Sequence, residues 1–227
     1  MNVLEQQSPD CRDNGPDAQT ARRMRGSGTL GDLLRTQMSG VVGIFMGMRN
    51  PAAPVASVLR WINTRFKTWR CDQIGFGVEV LGSIWVHGGG TIRIGNNVRL
   101  DGRIAPIELH SAHHAMLELG DDVCIYGGTS IEAVESIQIG CRSVLKPFVK
   151  IIDNNFHPLR GDRNHRPPPA RVLIEDDVVI GDHAIILPGA RVQSGAWIGA
   201  RSVISHRVPS GARVSGNPPR ILRIPQC

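Results

Sequence analysis

Two stretches of this 227-residue chain gather side chains that can do chemistry near neutral pH. Asn154–Val172 is 19 residues long and holds His157 and His165 among four Arg (160, 163, 166, 171) and four Pro (158, 167, 168, 169). An alcohol is a poor nucleophile until a base takes its proton, and a neutral imidazole with a pKa near ~6.5 is the natural group for that task. On residue type alone, a His-Pro in such a stretch reads more readily as a plain surface histidine. Asp153 could orient the ring and fix its tautomer, or simply cap the segment it ends. The second stretch, about residues 107–118, contains His110, His113 and His114. Three histidines are enough in number for zinc. Adjacent His113 and His114 do not readily face one ion, however, and no carboxylate or cysteine completes the set, so a surface loop without metal is expected. Five cysteines (Cys11, Cys71, Cys124, Cys141, Cys227) include no Cys-x-x-Cys pair and signal neither a zinc knuckle nor a disulfide framework.

The elements that position these side chains have an unusual period. From Ile174 every sixth residue is aliphatic: Ile174, Ile180, Ile186, Val192, Ile198 and Ile204. Four residues after each comes a small or β-branched side chain: Val178, Ala184, Ala190, Ala196, Ser202 and Val208. Upstream the spacing recurs in blocks of three: Ile139, Leu145, Ile151; Leu119, Ile125, Ile131; Ile94, Leu100, Pro106; and Ile74, Val80, Val86. A period of six is neither that of a surface helix nor that of a simple strand, and hexapeptide repeats are the signature of a parallel β-helix. Three hexads make one triangular coil, so about six coils of about 18 residues are expected, stacked roughly 4.8 Å apart. Asn154–Val172 then reads as a loop extruded from an otherwise closed coil, and long loops on regular scaffolds usually carry function.

Composition agrees with a narrow interior. Aromatic residues make up only 4% of the chain while glycine reaches 26, and a thin triangular bore admits stacked Ile and Val rather than rings. The net charge of +6 is uneven: residues 1–70 hold ten basic and five acidic side chains. No aromatic interleaving or groove-reading motif accompanies this excess, so a nucleic-acid partner is not expected. Residues 1–28 read as a polar, disordered tail and 29–70 as a basic helical extension, with a helix in 29–50, a Pro-Ala-Ala-Pro break at 51–54 and a second helix after it. A basic amphipathic helix can lie on a membrane surface, so peripheral contact through residues 29–70 is an expectation for an otherwise cytoplasmic protein. The β-helix is expected over 71–210, followed by a carboxy-terminal tail over 211–227.

Asp-x-x-Phe-His-Pro at 153–158, "ILPGARV" at 186–192 and Gly-Asn-Pro-x-Arg at 216–220 together resemble the hexapeptide-repeat O-acetyltransferases. The nearest kin are the maltose/galactoside acetyltransferase-like group and bacterial polysaccharide O-acetyltransferases. The resemblance covers roughly residues 72–224. It implies an all-β main domain wound as a left-handed parallel β-helix, a homotrimer, acetyl-CoA lying along the prism between subunits, a saccharide acceptor and no metal. His157 matches the family's catalytic base. Backbone groups at Asp182 and Ala200 match positions that meet the pantetheine arm, while Ser205, His206 and Arg220 match positions near the nucleotide end. On the acceptor side stand Arg160, in the loop, and Tyr126, where sugar enzymes of the group often have Asn. Another departure is Val179, where relatives commonly carry Trp; Trp197, one coil further on, is expected to restore apolar cover. Competing readings are acetylation of an amine or small molecule on the same fold, a zinc protein like the γ-type carbonic anhydrases, and a non-catalytic β-helix scaffold.

Overall fold

The computed structural model describes residues 52–155 and 167–222. The tail expected at 1–28 and the helix expected in 29–50 lie outside the described residues. The chain divides into two units between Asn63 and Thr64. Helix α1 runs Ala52–Lys67. Within the stretch expected as a break, Ala52, Ala53 and Pro54 therefore open this helix; proline is tolerated in a first turn, where its missing N–H would have no partner anyway. Arg65 and Lys67 occupy the last turn, where cations complement the helix dipole. The Thr68 amide and hydroxyl both donate to the Thr64 carbonyl (2.9 and 2.8 Å) and close the helix end.

From Gln73 the chain winds as a parallel β-helix with three faces. The first face stacks seven short strands: Gln73–Ile74, Thr91–Ile94, Met116–Leu119, Ser136–Ile139, Val172–Ile174, Arg191–Val192 and Arg207–Val208. Two long strands, Glu79–Gly88 and Arg99–Ser111, bend from the second face onto the third and join those faces into one sheet. Above them the second face continues through Cys124–Tyr126, Val144–Leu145, Val179–Ile180, Trp197–Ile198 and Arg213–Ser215. The third continues through Ser130–Ala133, Lys150–Ile152, Ile185–Ile186 and Val203–Ile204. The hexad residues pair in register from coil to coil, as Ile139 with Ile174, Leu145 with Ile180 and Ile151 with Ile186. All six are buried, and burying one such side chain contributes roughly 1.5–3 kcal/mol. Val178, Ala184, Ala190, Ala196 and Ser202 fill the corners, equally buried.

The seven stacked strands of the first face make about seven turns, against the six expected. Three details of phase also differ. Pro106 is not an inward position; an insertion at 103–106 slips the phase, and Leu109 stacks on Ile131 instead. The break expected at 107–118 therefore lies earlier, and His110 belongs to a strand rather than a loop. Val208 is not a corner residue: the last coil is shortened, so Val208 stacks on Val192 and Val214 on Ile198. The segment expected as a tail from 211 holds two strands, Arg213–Ser215 and Arg220–Ile221, the second antiparallel to the first.

Candidate active site

The three faces meet at corners, and the corners decide where a ligand can approach. Between the first and second faces the turn places Asn97, Asp122, Arg142 and Asp177 at positive φ (54–59°). Between the second and third it does the same with Phe148, His183 and Arg201 (61, 56 and 57°). A left-handed residue other than glycine costs about 1–2 kcal/mol, offset here by stacking of the turns. At the first corner the Asn97 amide donates to the Phe76 carbonyl (2.7 Å) and the Asp122 amide to the Asn96 carbonyl (2.8 Å). At the second the His183 amide donates to the Pro147 carbonyl (3.0 Å) and the Arg201 amide to the Asp182 carbonyl (2.8 Å).

The residue just before the left-handed position distinguishes the two corners. At the first corner a side chain of the next coil caps this amide in three turns, Phe76 by Asn96 Oδ1 (2.9 Å), Asn96 by Asp121 Oδ1 (2.7 Å) and Cys141 by Asp176 Oδ1 (2.9 Å), while the amides of Asp121 and Asp176 have no such cap. At the second corner the same position holds Pro147, which has no N–H, then Asp182 and Ala200. The amides of Asp182 and Ala200 have no hydrogen-bond partner among the described residues. Both residues are exposed, and both line an open groove of about 650 Å³ together with Ile104, Pro147, Phe148, His183 and Arg201.

Beside this groove the second face carries two buried glycines, Gly181 and Gly199, against which the next stretch of chain packs closely. A Cβ at Gly181 would come within 2.6 Å of the Ala200 amide nitrogen. One at Gly199 would come within 2.6 Å of Ser215 Oγ and 3.3 Å of the Trp197 ring. Trp197 pairs with Val179 and lies beside Gly199, with the Arg213 guanidinium 5.9 Å from its ring centroid. On the corner side the Phe148 and His183 rings stack at 4.9 Å and 6°. The result is a groove edged by two free N–H donors, with an apolar wall and nearby arginine. These are the features an extended, amide-bearing chain ending in phosphates would need.

The residues expected at the site are only partly brought together. Asp182 and Ala200 share the groove. Arg220 sits opposite Ser215 at the end of the second face, beyond the Trp197–Arg213 pair. Ser205 and His206 touch each other (Oγ to Nδ1, 3.3 Å) but lie after the third-face strand Val203–Ile204 and do not line the groove. Tyr126 is half-buried on the second face, two coils before Val179, with Lys146 Nζ 5.7 Å from its ring centroid. Asp153 is fully buried, and its carboxylate accepts the amides of Val134 (2.8 Å), Glu135 (2.7 Å) and Ser136 (2.8 Å). It locks the turn between the third and first faces at the root of the loop. His157 and Arg160 lie outside the described residues.

Phe148, His183 and Ile104 were not expected at the site. His183 and Arg201 are 18 residues apart, a signal in the sequence, but no hydrophobic pattern marks a corner position. Ile104 reaches the groove on the 103–106 insertion, whose Ala105 and Pro106 carbonyls accept the Gly128 amide (3.2 and 3.1 Å). The insertion is anchored where Arg103 grips Asp101 through two hydrogen bonds (2.7 and 2.6 Å). The Arg103 hydrogen bonds, with its charge, hold the buried Asp101 carboxyl below the usual carboxylate range against the opposing effect of burial. Among the described residues no group of three or more His, Cys, Asp or Glu is placed to hold a metal ion. His110 stacks instead on His87 at 4.8 Å.

No family model matches the chain. Over 58 residues it is 47% identical to 2,3,4,5-tetrahydropyridine-2,6-dicarboxylate N-acetyltransferase from Staphylococcus aureus, a match that covers 25% of this chain and 24% of the relative. The chain thus spans about a quarter of the length of the curated relatives it matches. Among solved structures it is similar to a variant of AntD, an N-acyltransferase from Bacillus cereus, in complex with dTDP and coenzyme A. The TM-score is 0.58 at 22% identity, covering 70% of this chain and 88% of that one. A second AntD variant, in complex with dTDP-4-amino-4,6-dideoxyglucose and coenzyme A, gives a TM-score of 0.58 at 19% identity, covering 73% and 89%. The likeness establishes that the fold is shared.

Proposed function

We propose that the chain is an acetyl-CoA-dependent acetyltransferase whose acceptor is a hydroxyl of a saccharide. The observation that carries this reading is the second corner, where the unpaired amides of Asp182 and Ala200 belong to residues that line the groove. A pantetheine arm is narrow, flexible and studded with amides, and it fits a groove whose donors are main-chain N–H groups rather than particular side chains. Arg201 lines the groove, Arg213 lies by Trp197, and Arg220 follows at the end of the second face, so phosphates at the far end of the same ligand would find cations. The AntD structures are complexes with coenzyme A, and one also holds an amino sugar nucleotide. Both facts support a CoA-dependent transfer to a sugar.

Acetyl-CoA supplies an acetyl thioester, activated toward oxygen and nitrogen nucleophiles. The chain's contribution is to hold that ligand in the groove and to provide a base. His157, a few residues after the buried Asp153 anchor, is the proposed base that takes the acceptor hydroxyl proton. Asp153 already accepts three backbone amides, so its contribution is to fix the loop root rather than to exchange protons. Arg160 and Tyr126 are proposed on the acceptor side. An amine acceptor is the second reading, favoured by the stretch shared with an N-acetyltransferase.

The test is thiol release from acetyl-CoA against a panel of sugars, amino sugars and polysaccharide fragments, with CoA binding followed by calorimetry. His157→Ala is expected to lower turnover by about 10²–10⁴-fold with CoA binding unchanged. Full turnover by that variant would remove the assignment of the base. Absence of CoA binding by the wild-type chain would remove the whole acetyltransferase reading.

A further inference from the structure

Helix α1 wears its apolar stripe on the outside. Leu59, Ile62, Phe66 and Trp69, in the helix and the turn after it, follow one another at spacings of three, four and three, the pattern of a single helical face. In a surface helix such a face is normally buried. Here the four side chains are 60, 51, 78 and 73% exposed, while the hydroxyl-bearing Thr64 and Thr68 are buried instead. Residues 51–70 also carry Arg60, Arg65, Lys67 and Arg70 with no acidic residue. No helix among the described residues is long and apolar enough to cross a membrane.

We infer that this stripe is an interfacial surface that docks the protein on an anionic lipid bilayer. An exposed apolar face with tryptophan and phenylalanine, on a segment whose only charges are cations, is the chemistry of a helix lying in the headgroup region; Arg65 is exposed, while Lys67 and Arg70 donate to the Gly82 and Gly88 carbonyls. Charge decides between this occupant and the alternatives. A second copy of the stripe would bring four cations against four. Residues 1–50 hold six basic and five acidic side chains and offer no net negative complement. A bilayer rich in anionic headgroups complements both the rings and the charges.

The experiment is co-sedimentation of the full chain with phosphatidylcholine vesicles, with and without 30% phosphatidylglycerol, at low and high salt. The chain is expected to partition onto the anionic vesicles and to be released by salt. The double substitution Phe66→Ser, Trp69→Ser should weaken partition at least tenfold, and Arg65→Gln, a change at an exposed position, about fivefold. Neither should alter CoA binding. Equal binding to both vesicle types, or wild-type binding by both variants, overturns the inference. So does a chain that ignores vesicles, whether because it forms a dimer that the double substitution dissolves or because residues 1–50 cover the stripe.

Discussion

The first and second corners use the same left-handed turn and the same amide-to-carbonyl bond between coils, yet side chains cap three amides at the first and none at the second. At the first, Asn96, Asp121 and Asp176 reach across to the preceding coil and take the amides of Phe76, Asn96 and Cys141, although the amides of Asp121 and Asp176 themselves have no acceptor among the described residues. At the second, Pro147, Asp182 and Ala200 offer no such acceptor, and the donors at Asp182 and Ala200 stay free. A repeating scaffold produces equivalent backbone sites several times over. A short polar side chain one coil further on determines whether each is consumed by the fold or left for a ligand.

The contrast can be broken from either side. Asp153 seals the third corner with three hydrogen bonds in a buried setting, so Asp153→Ala should have the largest effect. A loss of about 3–5 kcal/mol in urea unfolding is expected, because three amides lose a charged acceptor. Filling the open side comes next. Gly199→Ala should raise the Kd for CoA about tenfold or more, since the new methyl must displace Ser215 and crowd Trp197, and should also cost about 1–3 kcal/mol of stability because the position is buried. Removing a first-corner cap with Asp176→Ala should cost about 1 kcal/mol of stability and leave the CoA Kd as it was, because Asp176 does not line the groove at the second corner. If it changed the Kd instead, the corners would not be independent. The smallest effect concerns pH. The Asp101 carboxyl titrates below its unfolded value, so its contribution is complete above about pH 4 and is lost as pH falls through the lower, folded value. Arg103→Gln should therefore flatten the acid limb of stability below about pH 4, measured by denaturant unfolding at a series of pH values.

Much of this architecture is legible in the residues. The inward columns are aliphatic at a fixed period because each must stack on its equivalents, and Ile174 through Ile204 mark six successive strands without error. Phase was lost where coil length changes. The 103–106 insertion moved the stack from Pro106 to Leu109, and the shortened last coil put Val208 on Val192. Asp182 and Ala200 were legible as a pair because they are 18 residues apart and match a known motif. Their free amides were not, because that property depends on an acceptor missing from a different coil. The Phe148–His183 stack was hidden for a related reason: the extruded loop makes their separation 35 residues, so no simple period links them. The exposed stripe of α1 was legible as amphipathic but not as outward-facing, since periodicity reports a face and not its partner.

A parallel β-helix is a template for its own extension, because the last strand of each face presents a row of unpaired backbone groups to the next chain that arrives. On the second face that row is Arg213–Ser215, and Arg220–Ile221 folds back across it antiparallel. The returning strand points the wrong way to continue the parallel ladder, and Arg220 brings a charge to the new edge. On the second face this antiparallel return ends the parallel ladder. A chain that loses Arg220–Ile221 is expected to leave the Arg213–Ser215 edge open to a strand of another chain.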